Sequence, residues 1–324
     1  MSIFGKLVAP RLPAAAVALA GDGLGLVQLE RRRDTFAVRR AGYVPLAEGV
    51  LTPGFDGPNV ADAGALAGAL AELAAGAGLQ RRRRWSVGLP EAATRTAIVT
   101  METTTATRQE GEEMLRWKIE RAMGARADDL RAVRERLPTD AQGRGRYLVA
   151  AVRLDVLAEY EAVFAGLGWH TGLILPRHMG EAWWLMRERG SADSLLVSSH
   201  PEGFTAVVLR GGFPLFVRAV ACEAEDCADE LYRFLLFYRD RTAGPADADE
   251  GAAGGVPPGG EVIERLLVAG DGIGYEEASA LVAETLGAEP VPLRPEDVRL
   301  SFPPGELDFQ LIAAPAGLAA LALA

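Results

Sequence analysis

Lysine is nearly absent from this 324-residue chain: Lys6 and Lys118 are the only two among its 34 basic residues, and the others are arginine. Neither lysine lies beside a glycine-rich turn, so the chain lacks the lysine with which P-loop proteins bind phosphate. The net charge is −10 at pH 7, which disfavours binding to nucleic acid or anionic lipid over the whole surface. We therefore expect no nucleic-acid partner.

Cysteine and histidine are also scarce, which disfavours a metal site. Two cysteines, Cys222 and Cys227, are too few for a structural zinc site without other ligands. The three histidines include no pair with the helical spacing of a metal site. We predict that both cysteines are core residues in or beside one helix, and that the compartment is reducing.

Long apolar runs are missing as well. The most apolar tract, Leu311–Ala324, has 14 residues and contains Pro315. A membrane-spanning helix needs about 20 residues, so this tract predicts a buried C-terminal helix instead. Met1–Pro10 is too short and too polar to be the apolar region of a signal peptide. We expect a soluble, cytoplasmic protein.

Ala14–Glu30 has the clearest local pattern in the chain. Two apolar runs are separated by Gly21-Asp22-Gly23, which is typical of two buried strands joined by a tight turn. Because glycines alternate here as far as Gly25, the turn is also a candidate phosphate cradle. A dinucleotide site is excluded, since that site needs a helix after the glycines and the sequence predicts a second strand.

The same pattern returns about 180 residues later in the chain. Ser194–Ala221 predicts three strands, as Ala14–Val44 does, with similar lengths and polar or glycine turns. Two copies of one three-strand unit predict an internally duplicated α/β fold. A third glycine turn, Gly270–Gly274, lies between a predicted strand and a predicted helix, where it suits either a phosphate contact or a plain turn.

Between the two units lies a block with its own order of elements. Residues 94–168 predict strand, helix, strand, strand and helix, which is an inserted βαββα subdomain. The resulting boundaries are a first half at 1–93, the insertion, a return segment at 169–192 and a second half at 193–324. Residues 242–260 are mostly Ala, Gly, Pro and Asp, and predict a flexible connector.

Four consecutive arginines, Arg81–Arg84, precede the predicted strand Trp85–Leu89. A run of this kind can bind an anion. A solvated face beside a helix end is the simpler interpretation, and we adopt it as the expectation.

In this order of elements the sequence resembles the actin-like ATPase fold, and within it the branch that contains FtsA and the PilM family of type IV pilus assembly proteins. The resemblance covers nearly the whole chain and consists of apolar spacing with few fixed residues. It implies a duplicated actin-like (ribonuclease H-like) fold. In this fold the second half, residues 193–324, would contain a reduced form of the subdomain that the family calls 2B. The stretches that carry it are MSIFGKL, LVQLERRRDTFAVRRAGYVPLAEG, WSVGLPEAATRTAIVTM, GEEMLRWKIERAM, YLVAAVRLDVLAEYEAVFAGLGW, LLVAGDGIGYEEASALVAETLG and PAGLAALALA.

The resemblance implies a binding function. PilM-like proteins lie at the cytoplasmic face of the inner membrane, bind the short N-terminal tail of PilN, and so connect it to pilus motor components. In the family this tail lies in a groove between the first subdomain and the inserted block. In this chain the groove would be formed by Ala61–Ala77, Trp85–Pro90 and Gln109–Met123. The expected contact residues are Leu70, Trp85, Arg116 and Trp117, although a tryptophan is equally typical of the core.

The resemblance also sets the requirements for a nucleotide. Actin-like ATPases hold Mg-ATP between two glycine turns, each preceded by an acidic residue that serves the metal. The first acid falls on Ala18 and the family glycine on Ala20, while the second acid falls on Ser198, before Ser199 and Pro201. Proline also removes a backbone N–H that a phosphate would need. Without both carboxylates, a magnesium ion would be held by water and phosphate alone.

The sequence therefore leaves two functions open. The favoured one is a scaffold without catalytic residues, metal or cofactor. The alternative is an ATPase of the pilus or of a type II secretion platform, in which Asp22, Asp271 and water hold magnesium for ATP. A small-molecule kinase is disfavoured by the missing acids, and no G-x-S-x-G motif indicates a hydrolase. In the favoured case the vestigial nucleotide site comprises Gly21, Asp22, Gly23, Ser198, Ser199, Gly270, Asp271 and Gly272.

Overall fold

The structure is a computed structural model that describes residues 12–102, 107–187, 192–243, 262–302 and 307–323. Most of the predicted connector therefore lies outside the described residues.

Within the described residues the chain forms fourteen strands and seven α-helices. The strands are β1 (Ala15–Leu19), β2 (Gly23–Arg32), β3 (Thr35–Pro45), β4 (Arg84–Leu89), β5 (Arg95–Met101), β6 (Leu130–Leu137), β7 (Gly145–Arg153), β8 (His170–Pro176), β9 (Asp193–His200), β10 (Gly203–Arg210), β11 (Phe213–Ala221), β12 (Ile263–Ala269), β13 (Val291–Pro292) and β14 (Leu300–Ser301). The helices are α1 (Ala63–Gly76), α2 (Arg108–Met123), α3 (Leu154–Gly166), α4 (Arg177–Arg187), α5 (Cys227–Ala243), α6 (Tyr275–Leu286) and α7 (Phe309–Leu321).

The first half is a sheet in the order β14-β3-β2-β1-β4-β8. The turn after β1 is closed by the Ala20 N–H, which donates to the Gly23 carbonyl at 2.8 Å. This turn sets the antiparallel register that pairs Leu19 with Leu24, and it confirms the predicted hairpin. Strand β4 then runs parallel to β1 on its other side.

The second half repeats this arrangement in the sheet β11-β10-β9-β12-β13. Its first three strands are antiparallel neighbours, and β12 runs parallel to β9 as β4 runs parallel to β1. The predicted internal duplication of an α/β unit is therefore confirmed.

The inserted block is a three-stranded sheet, β5-β7-β6, with α2 on one face. Helix α2 begins at a capping box in which Thr107 and Glu110 satisfy each other's backbone N–H groups. Its inward face consists of Leu115, Ile119 and Met123. The next helix, α3, packs instead with α1 in the core of the first half.

Helices α4 and α7 lie between the two large sheets, because both belong to the apolar core that contacts both sheets. They cross at two glycines. A Cβ atom placed on Gly317 would lie 1.7 Å from the Gly180 carbonyl oxygen, and one on Gly180 would lie 2.3 Å from the Ala314 carbonyl oxygen. The predicted buried C-terminal helix is confirmed as α7. Among the described residues, no helix has both the length and the apolar character that a membrane crossing requires.

The two cysteines lie next to each other where the chain enters α5. Their sulfur atoms are 2.8 Å apart. Cys227 is buried, as predicted, whereas Cys222 is only partly buried.

Gly317→Ala is expected to lower the free energy of unfolding by about 1–3 kcal/mol, because the added methyl group must push α4 and α7 apart. Gly68→Ala in α1 is the matched control, since a Cβ atom there meets nothing within 4 Å. That control should raise the free energy of unfolding by about 0.5–1 kcal/mol through helix propensity. Urea denaturation measures both values, and an equal effect of the two substitutions would contradict the close helix crossing.

Candidate functional site

The three predicted glycine turns meet where the two halves come together, at the carboxyl ends of β1, β9 and β12. The cavity between them has a volume of about 30 Å³. That is room for about one water molecule, whereas ligand pockets are about 300–1,000 Å³ in volume. Lining residues include Ala18, Asp22, Gly23, Gly270 and Asp271.

The three turns pack closely against one another at this junction. A Cβ atom on Gly21 would lie 3.2 Å from the Glu202 carboxylate and 3.6 Å from the Pro201 ring, so the first turn rests on the second. The third turn is fixed by Ser199, whose hydroxyl accepts a hydrogen bond from the Ile273 N–H at 3.1 Å.

Gly270 is a position where only glycine fits. Its φ is 82°, and a Cβ atom there would lie 2.2 Å from the Ser199 carbonyl oxygen. Gly272 also approaches closely, since its Cβ atom would lie 3.0 Å from that of Ser199. These glycines therefore allow the turn to pack against β9.

The residues at the expected metal positions do not fit magnesium. Ala18 has no ligand atom, and Ser198 is completely buried. Asp22 and Asp271 are brought together at the exposed mouth of the cavity. They lie close to Tyr43, whose pKa is raised by burial and by the charges of both aspartates, with Arg177 opposing. In this conformation the cavity has about a tenth of the usual volume of a ligand pocket, and neither expected metal position carries a carboxylate.

Beneath the cavity, a buried cluster of polar residues joins the two halves. Glu91 follows β4 in the first half, and its carboxylate accepts a hydrogen bond from the His178 N–H at 2.6 Å. Its second oxygen contacts the His178 ring nitrogen Nδ1 and accepts from the Thr205 hydroxyl of β10 at 3.4 Å. One carboxylate of the first half therefore forms hydrogen bonds with both helix α4 and the second half.

The electrostatics of this cluster favour an ionised Glu91. Burial acts to raise its pKa, but the positive charge of His178 and the hydrogen bond from its ring outweigh burial and lower the pKa to about 2. The neighbouring Glu181 has a raised pKa because its burial outweighs the opposing charge of Arg177.

Arg177 adds a second link between α4 and the second half. Its Nε lies 3.1 Å from a Glu181 carboxylate oxygen, and its Nη2 donates to the Ser199 carbonyl at 2.8 Å. The sequence shows Arg177 and Glu181 only as a charged pair four residues apart at a helix start, which is typical of a solvent-exposed surface. Nothing in that spacing shows that the pair is buried between two sheets.

The prediction that Leu70 and Trp85 contact a partner is wrong. Leu70 and Trp85 are both 0% exposed. Leu70 is on the inward face of α1, and the Trp85 ring stacks on Trp169 with 4.6 Å between ring centroids. Neither side chain can contact a partner.

The other two expected contact residues are exposed on α2. Trp117 is 54% exposed, so the core interpretation of this tryptophan is wrong. Met114, one helical turn before Trp117, is 41% exposed. The Arg121 guanidinium lies 5.7 Å from the Trp117 ring centroid, and Arg116 forms an ion pair with Asp128 at 2.7 Å.

A shallow apolar groove lies between the first half and the inserted sheet. Strand β8 is the last strand of its sheet and β6 is the last strand of the inserted sheet, so among the described residues each has an edge without a neighbouring strand. The enclosed volume is about 40 Å³, too small for a small-molecule pocket. Its lining includes Leu89, Arg131, Val133, Val152, Leu157, Ile174 and Leu175. This groove differs from the expected one, because α1 and α2 do not line it.

Comparison with solved structures identifies the fold. The chain aligns with one from a PilM-PilN type IV pilus biogenesis complex over 97% of its own length and 100% of that chain, with a TM-score of 0.74 and 20% identity. An actin-like ATPase fold protein of unknown function from Bacteroides thetaiotaomicron aligns over 91% and 95% of the two chains, with a TM-score of 0.51 and 9% identity. The expected actin-like fold is therefore confirmed.

A third structure, the cytoplasmic domain of EpsL from the type II secretion system of Vibrio cholerae, aligns over 95% and 93% of the two chains with a TM-score of 0.44 and 13% identity. That score is too low to establish a shared fold. No protein-family model and no curated protein sequence matches this chain.

Glu91→Gln is expected to lower the free energy of unfolding at neutral pH by about 3–5 kcal/mol, because it leaves a buried histidine without its charged partner. Since the Glu91 pKa is about 2 in the folded protein, against about 4.3 when unfolded, its stabilising contribution is complete above about pH 5. This contribution is lost as the pH falls towards 2, so the difference between wild type and variant should shrink over that range.

Urea denaturation between neutral and acidic pH measures this difference. Glu112→Gln is the control, because Glu112 pairs with Arg134 at 2.7 Å on an exposed surface, where an ion pair contributes about 1 kcal/mol or less. A loss that is equal in the two variants, or that does not change with pH, would contradict a structural role for the Glu91 carboxylate.

Proposed function

We propose that this protein is a scaffold at the cytoplasmic face of the inner membrane, in a type IV pilus machinery, and that it binds the N-terminal tail of a PilN-like membrane protein without a nucleotide. The observation that carries the proposal is the fold shared with the PilM–PilN complex chain along nearly the entire length of both chains. Pilus motor components are further expected partners of such a scaffold.

The groove between β8 and the inserted sheet is the proposed tail site. Its walls are mainly apolar, with Val133 50% exposed on β6 and Ile174 half-buried on β8. Both flanking strands have an edge that pairs with no strand in the described part of the chain, and such an edge offers an extended peptide backbone hydrogen bonds in addition to side-chain contacts. A short extended tail suits a shallow groove between two strand edges better than a compact ligand does.

Two observations support a scaffold that works without ATP. The cavity between the glycine turns has a volume of about 30 Å³. The smallest usual ligand pockets have a volume of about 300 Å³, ten times larger. Opening it would separate Glu91 from Thr205, and Arg177 from Ser199, because these contacts cross from the first half and α4 to the second half. The bound partner, and not a nucleotide, would then determine the state of the protein.

A working ATPase is the second candidate, and one observation favours it. Asp22 and Asp271 lie on the same cavity from opposite halves, so a metal ion could meet two carboxylates there if the cleft opened. This candidate requires the loss of the buried contacts beneath the cavity, which is why we place it second.

The scaffold proposal predicts that a synthetic peptide of the PilN-like tail from the same organism binds the full chain. Val133→Asp should weaken binding by at least about tenfold, because it places a charge on the apolar wall of the groove. The native side chain is 50% exposed, so the fold should tolerate the change. Isothermal titration calorimetry measures the affinity.

Trp117→Ala is the matched control, since this exposed residue lies on α2 outside the groove. The proposal expects unchanged binding for this variant. If Val133→Asp binds the peptide as tightly as the wild type, or if only Trp117→Ala weakens binding, the groove assignment is contradicted. The tail site would then lie on the outer face of α2.

A further inference from the structure

The charge of this acidic protein is distributed very unevenly. Residues 30–40 and 76–84 together contain nine arginines and only two acidic residues, Glu30 and Asp34. These twenty positions therefore have a net charge of +7, whereas the whole chain has a net charge of −10. No local pattern in the sequence connects the two stretches, because more than thirty residues separate them.

The sheet register brings both stretches to one end of the first half. Gln28 pairs with Ala15, and Ala16 pairs with Ser86, so β2, β1 and β4 lie side by side, and Arg84 is the first residue of β4. The β2–β3 turn at 32–35 and the arginines at 81–84 both project past this end, which is opposite to the glycine turns. We call this end, formed by residues 31–34 and 81–84, the basic pole.

Two further arginines lie beside the β2–β3 turn. The Phe36 N–H donates to the Arg299 carbonyl at 3.0 Å, and the Arg187 guanidinium lies 4.8 Å from the Phe36 ring centroid. The pKa of Arg187 is lowered by burial and then by the positive charges of Arg299 and Arg31. Like charges are therefore close enough to repel one another, and a bound polyanion would relieve that repulsion.

Several of these side chains are available to a ligand. Arg33 and Arg81 are exposed, and neither has an ion-pair partner among the residues that the structure describes. Arg32 is also exposed and lies 3.8 Å from the Glu30 carboxylate, a weak surface pair. Guanidinium groups bind phosphate oxygens in a two-pronged geometry, so phosphate is the chemistry that this surface fits.

A groove on the side of the basic pole offers apolar contact as well. Its volume is about 400 Å³, and it lies between β3 and the end of α1. Arg39 and Arg40 line it together with the apolar side chains of Phe302 and Leu307. Phosphate-binding arginines beside apolar walls match an amphiphile with an anionic head group.

We propose that the basic pole is a docking surface for anionic phospholipid head groups. A nucleic acid is disfavoured, because single strands are bound by bases stacking on exposed aromatic rings. The one aromatic residue in the two arginine-rich stretches, Phe36, is 2% exposed. A flat membrane touches only the projecting pole, so the acidic remainder of the protein stays beyond the screening length of about 8 Å at physiological salt.

This surface is separate from the groove proposed for the tail. The arginines lie at the start of β4 and the groove lies at its end, which are about 17 Å apart for a six-residue strand. The inference therefore does not rest on the proposed function, and its test contains no tail peptide.

Sedimentation of the full chain with lipid vesicles tests the proposal. We expect binding to phosphatidylcholine vesicles that contain about 30% phosphatidylglycerol, and no binding to phosphatidylcholine alone. Binding should disappear at about 0.5 M salt, where surface charges are screened. The triple variant Arg32→Gln, Arg33→Asn, Arg81→Gln should bind about 100-fold more weakly. Asparagine is used at position 33 because Arg33 has a φ of 56°, which asparagine tolerates.

The control is Arg108→Gln, Arg126→Gln, Arg136→Gln, which removes the same charge from exposed positions on the inserted block. It should bind vesicles as the wild type does. Three results would overturn the proposal: no binding to anionic vesicles, equal weakening in both triple variants, or binding to a single-stranded DNA oligonucleotide without binding to vesicles.

Discussion

The buried Glu91 carboxylate, which contacts His178 on α4 and Thr205 on β10, holds the junction on which the two halves of this protein depend. Removing a charged carboxylate from water costs several kcal/mol, and only close partners with additional hydrogen bonds offset that cost. Here the Glu91 carboxylate has those partners, since it also accepts from a backbone N–H and from Thr205. The arrangement is stable only while β4, α4 and β10 stay together. Any motion that separates the halves breaks the hydrogen bonds from Thr205 to Glu91 and from Arg177 to Ser199.

This constraint explains why elements that form a nucleotide cleft in the actin-like fold form a closed junction here. The turn after β1 rests on Pro201, and the turn after β12 is fixed to Ser199. Helices α4 and α7 are packed so closely that only glycine fits at Gly317. The closed junction makes a rigid frame, and the exposed features of the molecule are then its grooves and its charged end.

Strand pattern and turn chemistry were sufficient to predict the duplicated halves, because alternating buried residues and glycine turns are local signals. The resemblance to a known family added the prediction that these halves form an actin-like fold. Side-chain burial was predicted less well. Trp85 is deep in the core because β4 has strands on both sides, whereas Trp117 is exposed because three other residues already fill the inward face of α2. Glu91 and His178 are 87 positions apart, and no local pattern connects them.

The most direct test of a permanently closed junction is a distance across it. Spin labels at Glu48→Cys in the first half and at Glu277→Cys on α6 occupy exposed sites on opposite halves. Cys222 and Cys227 are replaced by serine and alanine, so that only the two introduced cysteines are labelled. Pulsed electron paramagnetic resonance then gives the distribution of the label–label distance. We predict one narrow distribution that is the same with and without saturating Mg-ATP. A second population or a shift on addition of Mg-ATP would contradict the account, because it would show a cleft that opens for a nucleotide.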